Sequence, residues 1–268
     1  MKKISLFMLL FCSLTACEEV ILLDLDTATQ RVVIEANLDA GKGICTVSLS
    51  KTSGFYDSNN FEKITGAAIL LTTSGEANIP VIQDADGHYS ATGIDIAPGE
   101  SARLRIELPN GQVIESETVP VPYPAPLDAL MTEKVETGGP SGNGTSEAHY
   151  MLTAKWQDIP GQSNYYRLKI FQNDAFQSGT YILSDDRFGD GLPIVRPVIR
   201  QTFQQGDVLR CQLMSVNKSY YDYFTELANV EGRGFSAPTP FNPNGNLSGE
   251  VLGYFGIWQA SEKVIVVE

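Results

Sequence analysis

Four prolines at alternate positions set the strongest limit on how this chain can fold. The stretch VPVPYPAPL, residues 119–127, carries Pro120, Pro122, Pro124 and Pro126. Each proline fixes φ and removes an N–H donor, so neither a helix nor a central strand can pass through the run. Residues 120–126 therefore read as a stiff, extended linker. It separates an N-terminal domain, 31–119, from a C-terminal domain, 127–268, and a chain of 268 residues is long enough for both.

Both sides of the linker read as short strands and turns. RVVIEANL (31–38) and CTVSLSKT (45–52) are β-branched runs, and in the second Val47 and Leu49 alternate with polar neighbours. AAILLTT (67–73) follows, then a turn at Asp86-Gly87 within 84–92. ARLRIEL (102–108) and QVIESETV (112–119) flank the hairpin signal Pro109-Asn110-Gly111. Beyond the linker, 149–158, 164–172, 205–216, 250–259 and 263–268 are the expected strands. Trp156 and Tyr166 are large rings suited to filling the space between two sheets. One segment breaks the period. In 218–230, Tyr221, Phe224, Leu227 and Ala228 share a helical face, which predicts one short helix. The expected fold is all-β with that helix: two antiparallel β-sandwich domains of immunoglobulin or fibronectin-like type.

The N-terminus has a different character. Met1-Lys2-Lys3 precedes the apolar run ISLFMLLFCSL, residues 4–14. Eleven helical residues rise about 16 Å, far less than the roughly 30 Å of a bilayer core. Residues 1–16 therefore read as a secretory signal peptide. Its end, Leu14-Thr15-Ala16-Cys17, resembles the bacterial lipobox. That resemblance implies cleavage before Cys17 and diacylglycerol on its sulfur, with N-acylation to follow. Each buried methylene contributes about 0.8 kcal/mol, so two or three chains anchor durably. Residues 17–30 form the lipidated segment, and its VILLDLD (20–26) is too apolar to stay in solvent. It is expected to pack on a domain, on the membrane or on a partner.

Charge and cysteine usage narrow the function classes. Loss of Lys2 and Lys3 with the signal leaves 17 basic against 32 acidic residues, a net charge of −15. Nucleic-acid partners need basic patches and are not expected, nor is electrostatic docking on anionic lipid. Of the four cysteines, Cys12 leaves with the signal and Cys17 is acylated. Cys45 and Cys211 then either form a disulfide or remain as two buried thiols in separate strands.

Catalytic patterns are sparse. The two histidines, His88 and His149, have no triad spacing around them, and neither G-x-S-x-G nor H-E-x-x-H occurs. GRGFSA (232–237) formally matches a dinucleotide-binding pattern but runs into Pro238 instead of opening a helix. DDRFGDG (185–191) gathers Asp185, Asp186 and Asp190 beside glycines, an oxygen-rich loop of the kind that can hold Ca²⁺, although its spacing is not that of an EF-hand. No cofactor is expected. The aromatic, turn-rich stretches 53–61, 219–224 and 235–245 either bind a small ligand, peptide or glycan, or fill the core.

Several stretches together carry a family resemblance: the lipobox, VILLDLD, RVVIEANLDAG, VSLSKTSGFYD, ITGAAILLTT, DGHYSA, the proline-rich exit and FSAPTPFNPNGNLSGEVLGYFG. The chain resembles a family of Bacteroidota outer-membrane lipoproteins of unknown function, commonly encoded beside TonB-dependent receptors. The resemblance implies an outer-membrane location and a receptor partner, and it supplies no catalytic residues. In that context Glu18 and Glu19 resemble an export signal that sends the lipoprotein to the cell surface; the alternative is an anchor facing the periplasm. The expected role is a non-enzymatic accessory or ligand-binding subunit of an uptake system. An adhesin or cell-envelope structural protein is the alternative. A glycan-active enzyme using carboxylates such as Asp185 or Glu231 stands third.

Overall fold

The computed structural model describes residues 30–53, 61–75, 77–135, 149–177, 181–199, 201–231 and 241–268. Cys17, Glu18, Glu19 and the apolar segment 20–26 lie outside them, as does the glycine-rich stretch 232–237. Residues 31–52 and 61–268 form one compact unit. Its strands are β1 (Val32–Asp39), β2 (Ile44–Lys51), β3 (Ala68–Thr73), β4 (Asn78–Ala85), β5 (His88–Thr92), β6 (Ser101–Glu107), β7 (Val113–Glu115) and β8 (Val119–Pro120) before the proline-rich run. After it come β9 (Leu127–Val135), β10 (His149–Gln157), β11 (Tyr165–Gln172), β12 (Ala175–Phe176), β13 (Ile182–Asp185), β14 (Pro193–Pro197), β15 (Val208–Val216), helix α1 (Lys218–Glu231) and β16 (Leu252–Val266). Among the described residues the fold is all-β with one short helix.

Thirteen strands join one sheet. Its main path runs β12-β11-β15-β16-β1-β2-β5-β4-β3-β6-β7, with β13 on β11 and β8 on β6. A second sheet is three-stranded, β14-β10-β9. The first core takes alternate residues from both ends of the N-terminal strand set: Ile34, Ala36 and Leu38 of β1 and Val47 and Leu49 of β2, with Leu71 of β3 and Leu104 and Ile106 of β6. β4 makes this possible by switching partners. Its first half pairs β3 and its second half pairs β5, so the sheet curls back over its own apolar face. The Asp86-Gly87 turn closes β4 onto β5 with Gly87 at φ 68°. A Cβ there would meet the Leu49 carbonyl oxygen at 2.7 Å, so glycine is needed for conformation and for space.

The expectation of purely antiparallel pairing fails at one place. β1 and β16 run parallel, from Val33 opposite Leu252 to Asp39 opposite Trp258. A parallel pair needs a long crossover, and here almost the entire chain serves as one. The sequence split the last stretch into two strands, 250–259 and 263–268; it is one 15-residue strand. β16 sends Phe255 and Ile257 into the first core, while its far end pairs β15 and Val267 just beyond it enters the second. The cores thus part at the proline run, and the sheet does not.

That run behaves as its prolines dictate. Just beyond β8, Val121 N donates to Glu100 O at 2.8 Å and Val121 O accepts from Gly99 N at 3.0 Å; from Pro122 onward side chains pin the run. Ser215 Oγ accepts from Ala125 N at 3.0 Å. Ser261 Oγ accepts from Leu127 N at 2.8 Å and donates to Ala125 O at 2.9 Å. In the second core, Leu152, Ala154 and Trp156 of β10 point inward against Tyr166, Leu168 and Ile170 of β11. The Trp156 and Tyr166 rings meet edge-on with centroids 5.5 Å apart. Cys45 and Cys211 do not form the disulfide: both are free thiols, each buried in a different core.

Helix α1 forms where the period changed, with Phe224, Tyr221 and Leu227 of the expected face in the packed cluster and Tyr220 added to it as the most buried side chain. Tyr220 and Phe224 are its buried residues, and Tyr221 is half-buried. The reason lies in the sheet below. Arg167 and Tyr254 receive Tyr220 and Phe224, while Tyr221 turns to donate to Asp185 at 2.8 Å.

Candidate functional site

Two constellations carry polar chemistry. The first is acidic. Asp158 follows β10, Asp186 follows β13 and Asp190 sits before β14, and one oxygen of each lies within 4.8 Å of the others. These carboxylates could supply oxygen ligands to a hard cation, yet each already accepts other donors. Asp158 accepts from the Tyr166 hydroxyl at 2.6 Å and from Gly191 N at 2.8 Å. Asp186 accepts from Asn164 N at 2.8 Å, and Asp190 from Gly161 N at 2.9 Å. Burial, then the bond to Asp158, pushes the Tyr166 hydroxyl up in pKa. The cluster ties the β10–β11 and β13–β14 connections together.

The sequence grouped Asp185, Asp186 and Asp190, and the structure regroups them. Asp185 ends β13 while Asp186 lies past it, and Asp185 leaves the set for partners of its own. Arg187 Nε donates to it at 2.8 Å and Tyr221 donates from α1. Hydrogen bonds from Arg187 and then Tyr221 hold the Asp185 carboxyl below the usual range against the opposing effect of burial. Asp158, which replaces it, is remote in sequence and gave no local signal.

The second constellation lies on the outer face of β11, β15 and β16, opposite the second core. Alternation places Tyr165, Arg167, Lys169 and Phe171 there from β11. Arg210, Gln212 and Met214 come from β15, and Tyr254, Trp258 and Glu262 from β16. α1 covers the end of this face nearest Tyr254. Arg167 is only 6% exposed and has no ion pair among the described residues. It donates to the Tyr220 hydroxyl at 2.5 Å. Its Cζ stands 4.1 Å from the Phe224 ring centroid and 5.1 Å from that of Tyr181. Cation–π contacts of this desolvated kind contribute about 2 kcal/mol.

Lys169 stands two residues along the same face. Its Nζ is 5.8 Å from the Trp258 ring centroid. Burial, then the nearby Arg167 charge, lowers its pKa to about 8. Arg210 stacks on Phe171 at 3.8 Å and reaches Glu262 at 3.5 Å. Glu262 also accepts from Gln212 Nε2 at 2.8 Å. No motif marks Arg167, Lys169 or Trp258; the one available signal was a period-two strand carrying cations where apolar residues could stand.

Of the aromatic stretches, 219–224 joins a packed cluster. In 219–224, Tyr220 and Phe224 are buried and Tyr221 and Tyr223 pack against them. Most of 53–61 lies outside the described residues; Phe61, at its end, is exposed.

Fold and site together define an all-β protein whose most distinctive surface is a cation-bearing aromatic sheet face beside a single helix. The chain belongs to the family described as a domain of unknown function, DUF4249, which matches residues 18–264. No curated protein matches it.

Proposed function

We propose that this chain is a lipid-anchored outer-membrane protein that serves a TonB-dependent uptake system as a non-enzymatic, ligand-binding accessory. The observation that carries the reading is Leu14-Thr15-Ala16-Cys17 behind a short apolar leader. Acyl chains on Cys17 would hold the protein at the membrane while the strand-built body projects from it. Support for the partner comes from the resemblance to Bacteroidota lipoproteins encoded beside such receptors. Glu18 and Glu19 support the outward-facing address. We read the two cores as immunoglobulin-like sandwiches fused through β16, a rigid frame suited to binding. The test has two arms. Cys17→Ala should move the protein out of the membrane fraction; retention there would refute the anchor. Mild-detergent purification of the neighbouring receptor from native membranes should bring the wild-type lipoprotein with it, and its clean absence would refute the accessory role.

A further inference from the structure

On the outer face of β11, β15 and β16 only some of the charges pair off among the described residues. Asp39 of β1 accepts from the Lys42 backbone N–H at 3.1 Å and has the Lys42 ammonium at 3.8 Å. Glu262 of β16 is held by Gln212 and Arg210 of β15. These two acids thus already have partners, while Glu35 of β1 lies at the Tyr254 end of the face. Arg167 and Lys169, side by side on β11, are left without a carboxylate in ion-pair contact among the described residues. Arg167 is compensated by rings and a hydroxyl from α1. Among the described residues Lys169 has the Trp258 ring and, without an ion-pair contact, the Asp39 charge. A desolvated cation with no carboxylate in ion-pair contact is costly, and this chain carries 32 acidic residues from which such a partner could have been drawn.

We propose that this face binds the carboxylate group of a small ligand, with Lys169 as the direct cation and Trp258 as the apolar wall. Arg167, buried beneath α1, adds positive potential but is itself shielded from contact. The half-buried indole beside an ammonium suits a ligand with an apolar or ring-shaped body attached to its acid group. This inference rests on the ligand-binding reading above and is independent of the lipid anchor.

The binding carries its own pH signature. The free Lys169 amine titrates near 8, and an adjacent carboxylate favours its charged form. Ligand binding therefore takes up protons around that pH, and affinity falls as pH rises through it. The other charges that act on Lys169 are Arg167 on the same strand, which lowers its pKa, and Asp39 on β1, which raises it.

The experiment is isothermal titration of the full chain in detergent. Two carboxylate probes, glucuronate and N-acetylglycine, are set against their neutral counterparts, glucose and N-acetylglycinamide. Glucuronate stands for an acidic sugar and N-acetylglycine for a peptide C-terminus, so the stronger binder identifies the source. At least one acid should bind while its neutral counterpart does not. Lys169→Met should weaken it ten-fold or more, a difference of about 1.4 kcal/mol. Lys169→Arg should retain it. The heat at pH 8 should change with the ionisation enthalpy of the buffer. Equal heats for acid and neutral probes, no heat from either acid, or full affinity in a folded Lys169→Met chain would each overturn the proposal. Any of these results leaves receptor co-purification untouched, so failure of the site and failure of the accessory role are told apart.

Discussion

Asn246 closes an open strand edge in the middle of the molecule, and its removal is expected to be costly. Between Gly253 and Ile257, β16 has β1 on one side, while β15 does not begin to pair until Trp258. On the unpaired side, Asn246 acts as a one-residue strand. Its Oδ1 accepts from Phe255 N at 2.9 Å and its Nδ2 donates to Phe255 O at 2.9 Å. Asn217 does the same for Ile257 N at 3.0 Å. Phe255 is fully buried, so no water can replace a lost partner. Asn246→Ala leaves one buried N–H and one buried C=O unsatisfied, each costing about 1–3 kcal/mol. The expected loss is therefore about 2–6 kcal/mol, a large part of a typical stability of about 5–15 kcal/mol. Asn244→Ala, at an exposed site that bonds Glu226, should cost about 0.5 kcal/mol or less. Urea unfolding followed by tryptophan fluorescence compares the two, with Trp156 and Trp258 as reporters. If Asn246→Ala unfolds within about 1 kcal/mol of wild type, the edge-closing argument is wrong, since the penalty for two orphaned buried groups could not then apply.

Three further outcomes are expected. Asp158→Ala should destabilise by about 2–4 kcal/mol, because it orphans the Tyr166 hydroxyl and Gly191 N; millimolar Ca²⁺ should leave wild-type thermal stability unchanged, and a clear rise in Tm would instead make the acidic cluster a cation site. Asp185 has its pKa depressed by Arg187 and Tyr221, so the stability it contributes is present above its unfolded pKa of about 3.9 and is lost as pH falls through the lower folded value; unfolding curves between neutral and acid pH should show a shallower acid loss in Asp185→Asn. Burial pushes both the Cys45 and Cys211 thiols up to about 12, so neither should react with a thiol reagent at pH 8 until the chain is unfolded, when mass spectrometry should find both modified.

Much of the fold was legible along the chain because strands and turns are written locally. β2, β10 and β11 were marked by alternation, β1, β3, β6 and β15 by short β-forming runs, and the Asp86-Gly87 and Pro109-Asn110-Gly111 turns by their own chemistry. The strands that escaped notice are those whose local signals conflict. β14 begins and ends with proline, which an edge strand tolerates. β9 mixes charged and apolar residues because its outer edge is solvated. β4 contains Pro80, which hid its first half. Of the candidate sites, the sequence brought Asp186 and Asp190 together but attached Asp185, since neighbours in the chain look like neighbours in space until the fold gives each its own partners.

The sequence alone determined the all-β character, the helix near 218–230, the proline break and the resemblance of Leu14–Cys17 to a lipobox, because each depends on residues within one short window. Only the tertiary structure decided that β16 would pair in parallel with β1 and serve both cores, that Asp158 would join Asp186 and Asp190, and that Lys169 would face Trp258 without a carboxylate in ion-pair contact among the described residues. Those relations link residues from about 30 to more than 200 positions apart. Closing such loops costs entropy that only the collective burial of the core repays, so no single segment can announce which distant segment it will meet.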